Sequence, residues 1–174
     1  LRDAASQAVN YLFATLGNPE TGERDCVLVR CFMTMPYCRL DQATQQLARN
    51  RLGGIVPHPD LKCFTLVATA GEQSDWNWVE RSHRYRVIPM VNADFVKQFP
   101  MFSQLLHQFG LSTLFEVAPQ GEWLVDVEEK TYNVFYVPDA VGSPYVPGQG
   151  DFVLKYGVKS VLCFGGLLPS RDLV

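Results

Sequence analysis

Two β-branched and aromatic runs near the C-terminus, residues 131–137 and 158–164, bracket a connection at 138–150 that is rich in proline and glycine. Such runs read as strands, because branched and aromatic side chains suit a pleated surface. A connection this long is uncommon inside a compact domain unless it serves as a functional lid. The second run ends in a turn at residues 165–172. No acid–base pair, nucleophile or phosphate-binding loop stands out in this third of the chain. The pattern is that of a scaffold holding a pocket, which favours binding or sensing over catalysis.

The rest of the chain alternates between helical and strand periods. Ala5, Ala8, Val9, Leu12, Phe13 and Leu16 recur at steps of three and four, predicting a helix over 4–16 that Gly17 closes. Residues 26–33 predict a buried strand. Residues 41–51 predict a shorter helix with Ala43, Leu47 and Ala48 on one side, ended by Gly53 and Gly54. Further strands are predicted at 63–70 and 83–90, with weaker ones at 113–117 and 122–125. Asn92 suits the cap of a helical turn, and Pro100 suits the first position of a helix over 100–109. The strands lack βαβ spacing, so the expected class is α+β, with a central antiparallel sheet and flanking helices.

The 174 residues carry a net charge of −3, which leaves no electrostatic footprint for nucleic acid and no attraction to an anionic membrane. Arg81, Arg84 and Arg86 alternate with Ser82, His83 and Tyr85, a pattern read as a solvated strand face. No uncharged apolar run reaches the length of a membrane span. Five cysteines, Cys26, Cys31, Cys38, Cys63 and Cys163, lie in apolar contexts. They read as free thiols in a reducing compartment, so the expected location is cytoplasmic. The N-terminus lacks the order of a signal peptide. The start at Leu1 and the stop after a turn read as a fragment of a longer protein: one domain over 1–174.

Several segments together resemble a known family. They are Cys26-Val27-Leu28-Val29-Arg30, then Phe64 to Gly71, then Arg86-Val87-Ile88-Pro89-Met90, and finally the closing unit from Tyr156 to Gly166 with Leu167-Leu168-Pro169-Ser170. Their order is similar to GAF-like sensory domains of bacterial signalling proteins, relatives of PAS domains that stand ahead of histidine kinase or diguanylate cyclase modules. The resemblance implies an antiparallel sheet of about six strands, a small-molecule pocket on one face, and flanking helices that pair between subunits. It also implies a return strand beginning near Leu173-Val174. The chain departs from better-known members. The Asn-Lys…Phe…Asp-Glu signature of cyclic-nucleotide binders is missing, no Cys adjoins a His, and the cysteine set of the methionine-sulfoxide reductases is not reproduced.

Aromatic density is the stronger site signal. Trp76, Trp78, Tyr85, Tyr132, Phe135 and Tyr145 fall where a pocket wall is expected, and aromatic walls with few polar groups characterise small-molecule sites. Cys31 and Cys38 flank Met33 and Met35, which would suit a soft metal or haem, with His107 a possible axial ligand. Core sulfur and a lone surface histidine explain the same residues more simply, so no cofactor is assigned. The expected function is a ligand- or redox-sensing regulatory domain, non-enzymatic by itself, that dimerises and signals to a C-terminal output module. The alternatives are a thiol-based reductase with Cys31 or Cys163 as nucleophile, and a purely structural dimerisation domain.

Overall fold

The fold turns on one extra residue in its central strand. The structure, a computed structural model, describes residues 2–82, 85–108, 134–170 and 172–174. Helix α1 (Arg2–Thr15) leads to strand β1 (Leu28–Pro36), helix α2 (Gln42–Leu52), and strands β2 (Lys62–Gly71) and β3 (Val87–Pro89). The three strands pair antiparallel in the order β1-β2-β3. Cys63 of β2 packs with Leu40 and Val87 and with Ala48 of α2. Ala68 and Ala70 of the same strand pack with Val9 of α1, flanked by Ala5, Phe13, Val29 and Cys31. Cys63 and Ala68 are an odd number of residues apart, so a regular strand would turn them to opposite faces. The register resolves this: Cys31 pairs with Ala68 and Phe32 with Leu66, leaving Val67 over. That bulge resets the alternation, so both helices cover one face of one sheet.

Local chemistry sets the ends of these elements. Asp41 caps α2, and Gly53 ends it in the left-handed region at φ 58°, where a side chain would be strained. Gly71 ends β2 where a Cβ would come within 2.9 Å of the Trp76 ring. Strand β3 ends at Pro89, opposite Cys63, where the N–H that proline lacks would point away from β2 and no rung is lost. On the face opposite the helices, Phe32 stacks on Phe64 with ring centroids 5.0 Å apart. The last residues join this unit. Thr34 N donates to Leu173 O at 3.0 Å, Leu173 N donates to Thr34 Oγ1 at 2.8 Å, and Lys62 Nζ reaches Asp172 Oδ1 at 2.6 Å.

Contacts divide the chain into two compact units, Leu1–Pro89 with Asp172–Val174, and Met90–Arg171. The second holds α3 (Ala93–Lys97), capped by Asn92 accepting from Phe95 N at 2.8 Å, and α4 (Pro100–Gln108), which starts at its proline. Strands β4 (Val134–Val137) and β5 (Val161–Phe164) form a two-stranded antiparallel sheet. Residues 138–150 between them do not lie open. Gln149 Nε2 donates to the carbonyls of Ala140, Ser143 and Val146, at 3.0, 3.3 and 2.8 Å, and its Oε1 accepts from Gly142 N at 2.8 Å. A π-helical turn (Gln149–Leu154) begins at this glutamine, and its Val153 is buried.

Several expectations are corrected. The chain is α+β, but among the described residues its strands form sheets of three and two, not a central sheet of about six. Of the described residues in the expected strand over 83–90, Val87–Pro89 form strand, and β4 and β5 bond to each other in a sheet of their own. The weaker strands at 113–117 and 122–125 lie outside the described residues. Arg86 is not on a solvated face: it is buried, as the next section describes. Ala5 packs within the chain's own core while Ala8 is exposed.

Deleting Val67 should turn Ala68 and Ala70 away from α1 and abolish the cooperative melt followed by circular dichroism. Val67→Ala keeps the register and should cost about 2 kcal/mol, the worth of two buried methyl groups. Equal effects from the two changes would contradict the role given to the bulge.

Candidate functional site

Over the bulge, between the two helices, lies a cleft of about 200 Å³. Arg2 and Ser6 of α1 line one side, Asp41 and Thr44 of α2 another, and Thr65 and Val67 lie on the β2 side. Arg86, just before β3, is part of the lining, as are Asn77, Trp78 and Glu80 from the segment after β2. That segment is held by Asn77, whose side chain mimics a strand rung. Gly71 N donates to its Oδ1 at 3.0 Å, and its Nδ2 donates to Gly71 O at 3.0 Å and to Gln73 O at 3.1 Å. Thr69 Oγ1 also donates to Trp76 O at 2.7 Å. Two 3₁₀ turns (Ser74–Asn77 and Val79–Arg81) result, with Trp78 exposed between them.

Asp41 is the electrostatic centre of the cleft. Its Oδ1 accepts from Thr44 N and its Oδ2 from Thr44 Oγ1, both at 2.8 Å. Arg86 Nη2 donates to both oxygens at 3.3 Å, and Arg2 Nη2 stands 3.9 Å away. The Arg86 side chain is 9% exposed and that of Asp41 43%. Burial is the largest single influence on the carboxyl and pushes its pKa up. The backbone and side-chain hydrogen bonds from Thr44, then Arg86 and Arg2, together outweigh it, so the pKa ends below the usual carboxylate value. The site therefore presents a carboxylate, partly open to water, over a nearly buried guanidinium.

The residues expected to form a pocket are distributed differently. Trp78 lines the cleft. Trp76 is the hydrogen-bonding base of the segment that carries it. Tyr85 is half-buried beside Arg86. Phe135 is buried and meets Tyr145 edge-on, centroids 5.7 Å apart, so these two rings pack on each other. Cys31 faces α1, and His107 is exposed on α4. Tyr132 lies outside the described residues. No group of three or more His, Cys, Asp or Glu that could hold a metal occurs among the described residues. Asp41, Arg86 and Arg2 were missed as site residues. The local pattern Asp-Gln-Ala-Thr is a helix-cap signal that marks Asp41 and Thr44, but the pairing with Arg86 spans 45 positions and no window of sequence shows it.

All five cysteines are free. Burial raises the thiols of Cys31, Cys63 and Cys163, Cys63 to about 12 and Cys163 to about 11, which keeps them protonated at neutral pH. No helix among the described residues is long and apolar enough to cross a membrane. Comparison with family models, curated proteins and solved structures finds no match. The likeness to GAF-like sensory domains thus rests on sequence motifs alone.

Asp41→Ala should lower stability by about 2 kcal/mol. About 1 comes from the lost cap and about 1 from the stranded guanidinium, below the cost of a fully buried pair because Asp41 is partly exposed. The depressed carboxyl makes this stability complete above about pH 4, the unfolded value, and lost as pH falls through the lower folded value. Urea melts against pH should show that acid-side slope in the wild type and a shallower one in Asp41→Asn. Iodoacetamide at pH 8 should modify exposed Cys38 in the native chain, whereas buried Cys63 should react only after unfolding. Early loss of Cys63 in a peptide map would contradict its placement.

Proposed function

We propose that this chain is a non-catalytic sensory domain of the cytoplasm that binds a small polar molecule in the cleft between α1 and α2. The observation that carries this reading is the Asp41–Arg86 pair, a partly open carboxylate over a buried guanidinium, with Arg2 and Glu80 at the rim. Charges of both signs and the hydroxyls of Ser6 and Thr44 suit a solute with donors and acceptors, and Trp78 offers a ring to cover it. A ligand there would touch α1 and α2 at once. It would favour the helix arrangement that binds it better, by no more than its differential affinity for the two states. The signal would pass to an output module on the same polypeptide. A homodimer would draw on the exposed residues of α1, Ala8 and Tyr11 among them. The thiol-reductase alternative finds no support in the raised thiols of Cys31 and Cys163.

A thermal-shift screen with amino acids, dicarboxylates, nucleotides and polyamines tests the proposal. One class should stabilise the wild type, by about 2.7 kcal/mol when present at about a hundred times its Kd. Ser6→Phe, which fills the cleft from α1, should remove that shift while melting as a folded protein. Compounds that stabilise both proteins alike, or neither, would sink the assignment.

A further inference from the structure

The outer edge of β1 is unfinished. Val27 O accepts from Glu72 N at 3.1 Å, so the odd-numbered residues of β1 bond inward to β2. Thr34 N points the other way, to Leu173. Leu28, Arg30 and Phe32 share its parity and direct their N–H and C=O groups outward. Among the described residues no backbone bond reaches them from that side. Only thiols do: Cys26 Sγ lies 3.4 Å from Leu28 O and Cys31 Sγ 4.0 Å from Phe32 O, both weak donors. Unpaired, half-buried backbone groups of this kind are a template for strand addition. Leu173 already supplies one rung, beside Asp172, which is tied to Lys62 and Thr34.

A second observation comes from Arg30. Its Nη2 makes one long bond, 3.4 Å to Ser82 Oγ, and its buried Nε has no partner among the described residues. Burial lowers its pKa, as expected for a cation without a countercharge. On an added strand, the residue directly opposite Arg30 would share its face and lie roughly 5 Å away. A carboxylate there would complete the guanidinium. A second copy of β1 could not: antiparallel pairing centred on Arg30 sets Leu28 against Phe32 and Arg30 against its own image, placing like charges opposite.

We propose that the β1 edge from Leu28 to Phe32 docks an extended strand of a separate polypeptide. That strand carries an Asp or Glu opposite Arg30 and apolar residues opposite Leu28 and Phe32. The test uses isotope-labelled chain and the synthetic peptide acetyl-Thr-Val-Thr-Glu-Thr-Val-Thr-amide, followed by amide shifts and hydrogen exchange. The peptide should shift and protect the amides of Leu28, Arg30 and Phe32. Replacing its Glu by Gln should weaken binding about tenfold, as for loss of a charged hydrogen bond. Arg30→Gln should bind both peptides alike. Equal affinity of the two peptides for the wild type, or shifts away from β1, would overturn the proposal. So would edge amides already protected in the free chain: independent of concentration, that means coverage by its own residues, and rising with concentration, pairing of copies.

Discussion

Everything in the first unit follows from the misfit between a strand's period of two and the odd spacing of its buried residues. Cys63 belongs under α2 and Ala68 under α1, and a regular β2 could satisfy one helix only. The spare residue, Val67, reconciles them. Bulges bend a strand and sharpen its local twist. The cleft lies beside this one, lined by Val67 and by both helices. The same device that allows two helices on one face therefore accompanies the gap between them.

That gap contains polar chemistry because the N-terminus of α2 opens onto it. A helix start carries unpaired N–H groups and favours a negative charge, and Asp41 meets both needs at once. Arg86 then has a countercharge where it is buried. The pair links α2 to the residue before β3, so a change in the cleft acts on helix placement and sheet edge together. The surrounding threonines, Thr44 and Thr65, are almost fully buried, yet Thr44 bonds to Asp41 and Thr65 to Cys63 O. Little in the floor of the cleft is left to rearrange.

Local features of the sequence were read well. Helices 4–16, 41–51 and 100–109, and strands 26–33 and 63–70, lie within a few residues of those observed, because period, caps and proline positions are encoded within one turn or one strand. The number of strands per sheet was not legible. Pairing is decided between distant segments, and the six-stranded expectation came from a resemblance. The site was half legible. The ring of Trp78 lines the cleft, but those of Phe135 and Tyr145, which carry the same sequence signal, pack on each other. Aromatic composition does not distinguish a wall from a core. Arg86 was misread because its neighbours alternate like a surface strand, while its partner lies on a helix capped 45 residues earlier.

The segment 138–150 has no ladder; beside a few turn bonds such as Ser143 N to Ala140 O and Val146 N to Ser143 O, it is held by one side-chain amide. Gln149 faces three carbonyls with its nitrogen and one N–H with its oxygen. The next residue, Gly150, is exposed, so the amide stands at the protein surface on the side chain of a half-buried Gln149. Hydrolysis of that amide to a carboxylate would turn the donor into a second acceptor facing three carbonyl oxygens. The loop would then carry its own clock: one slow chemical change, altering the mass by about a dalton, would convert its central fastener into a wedge.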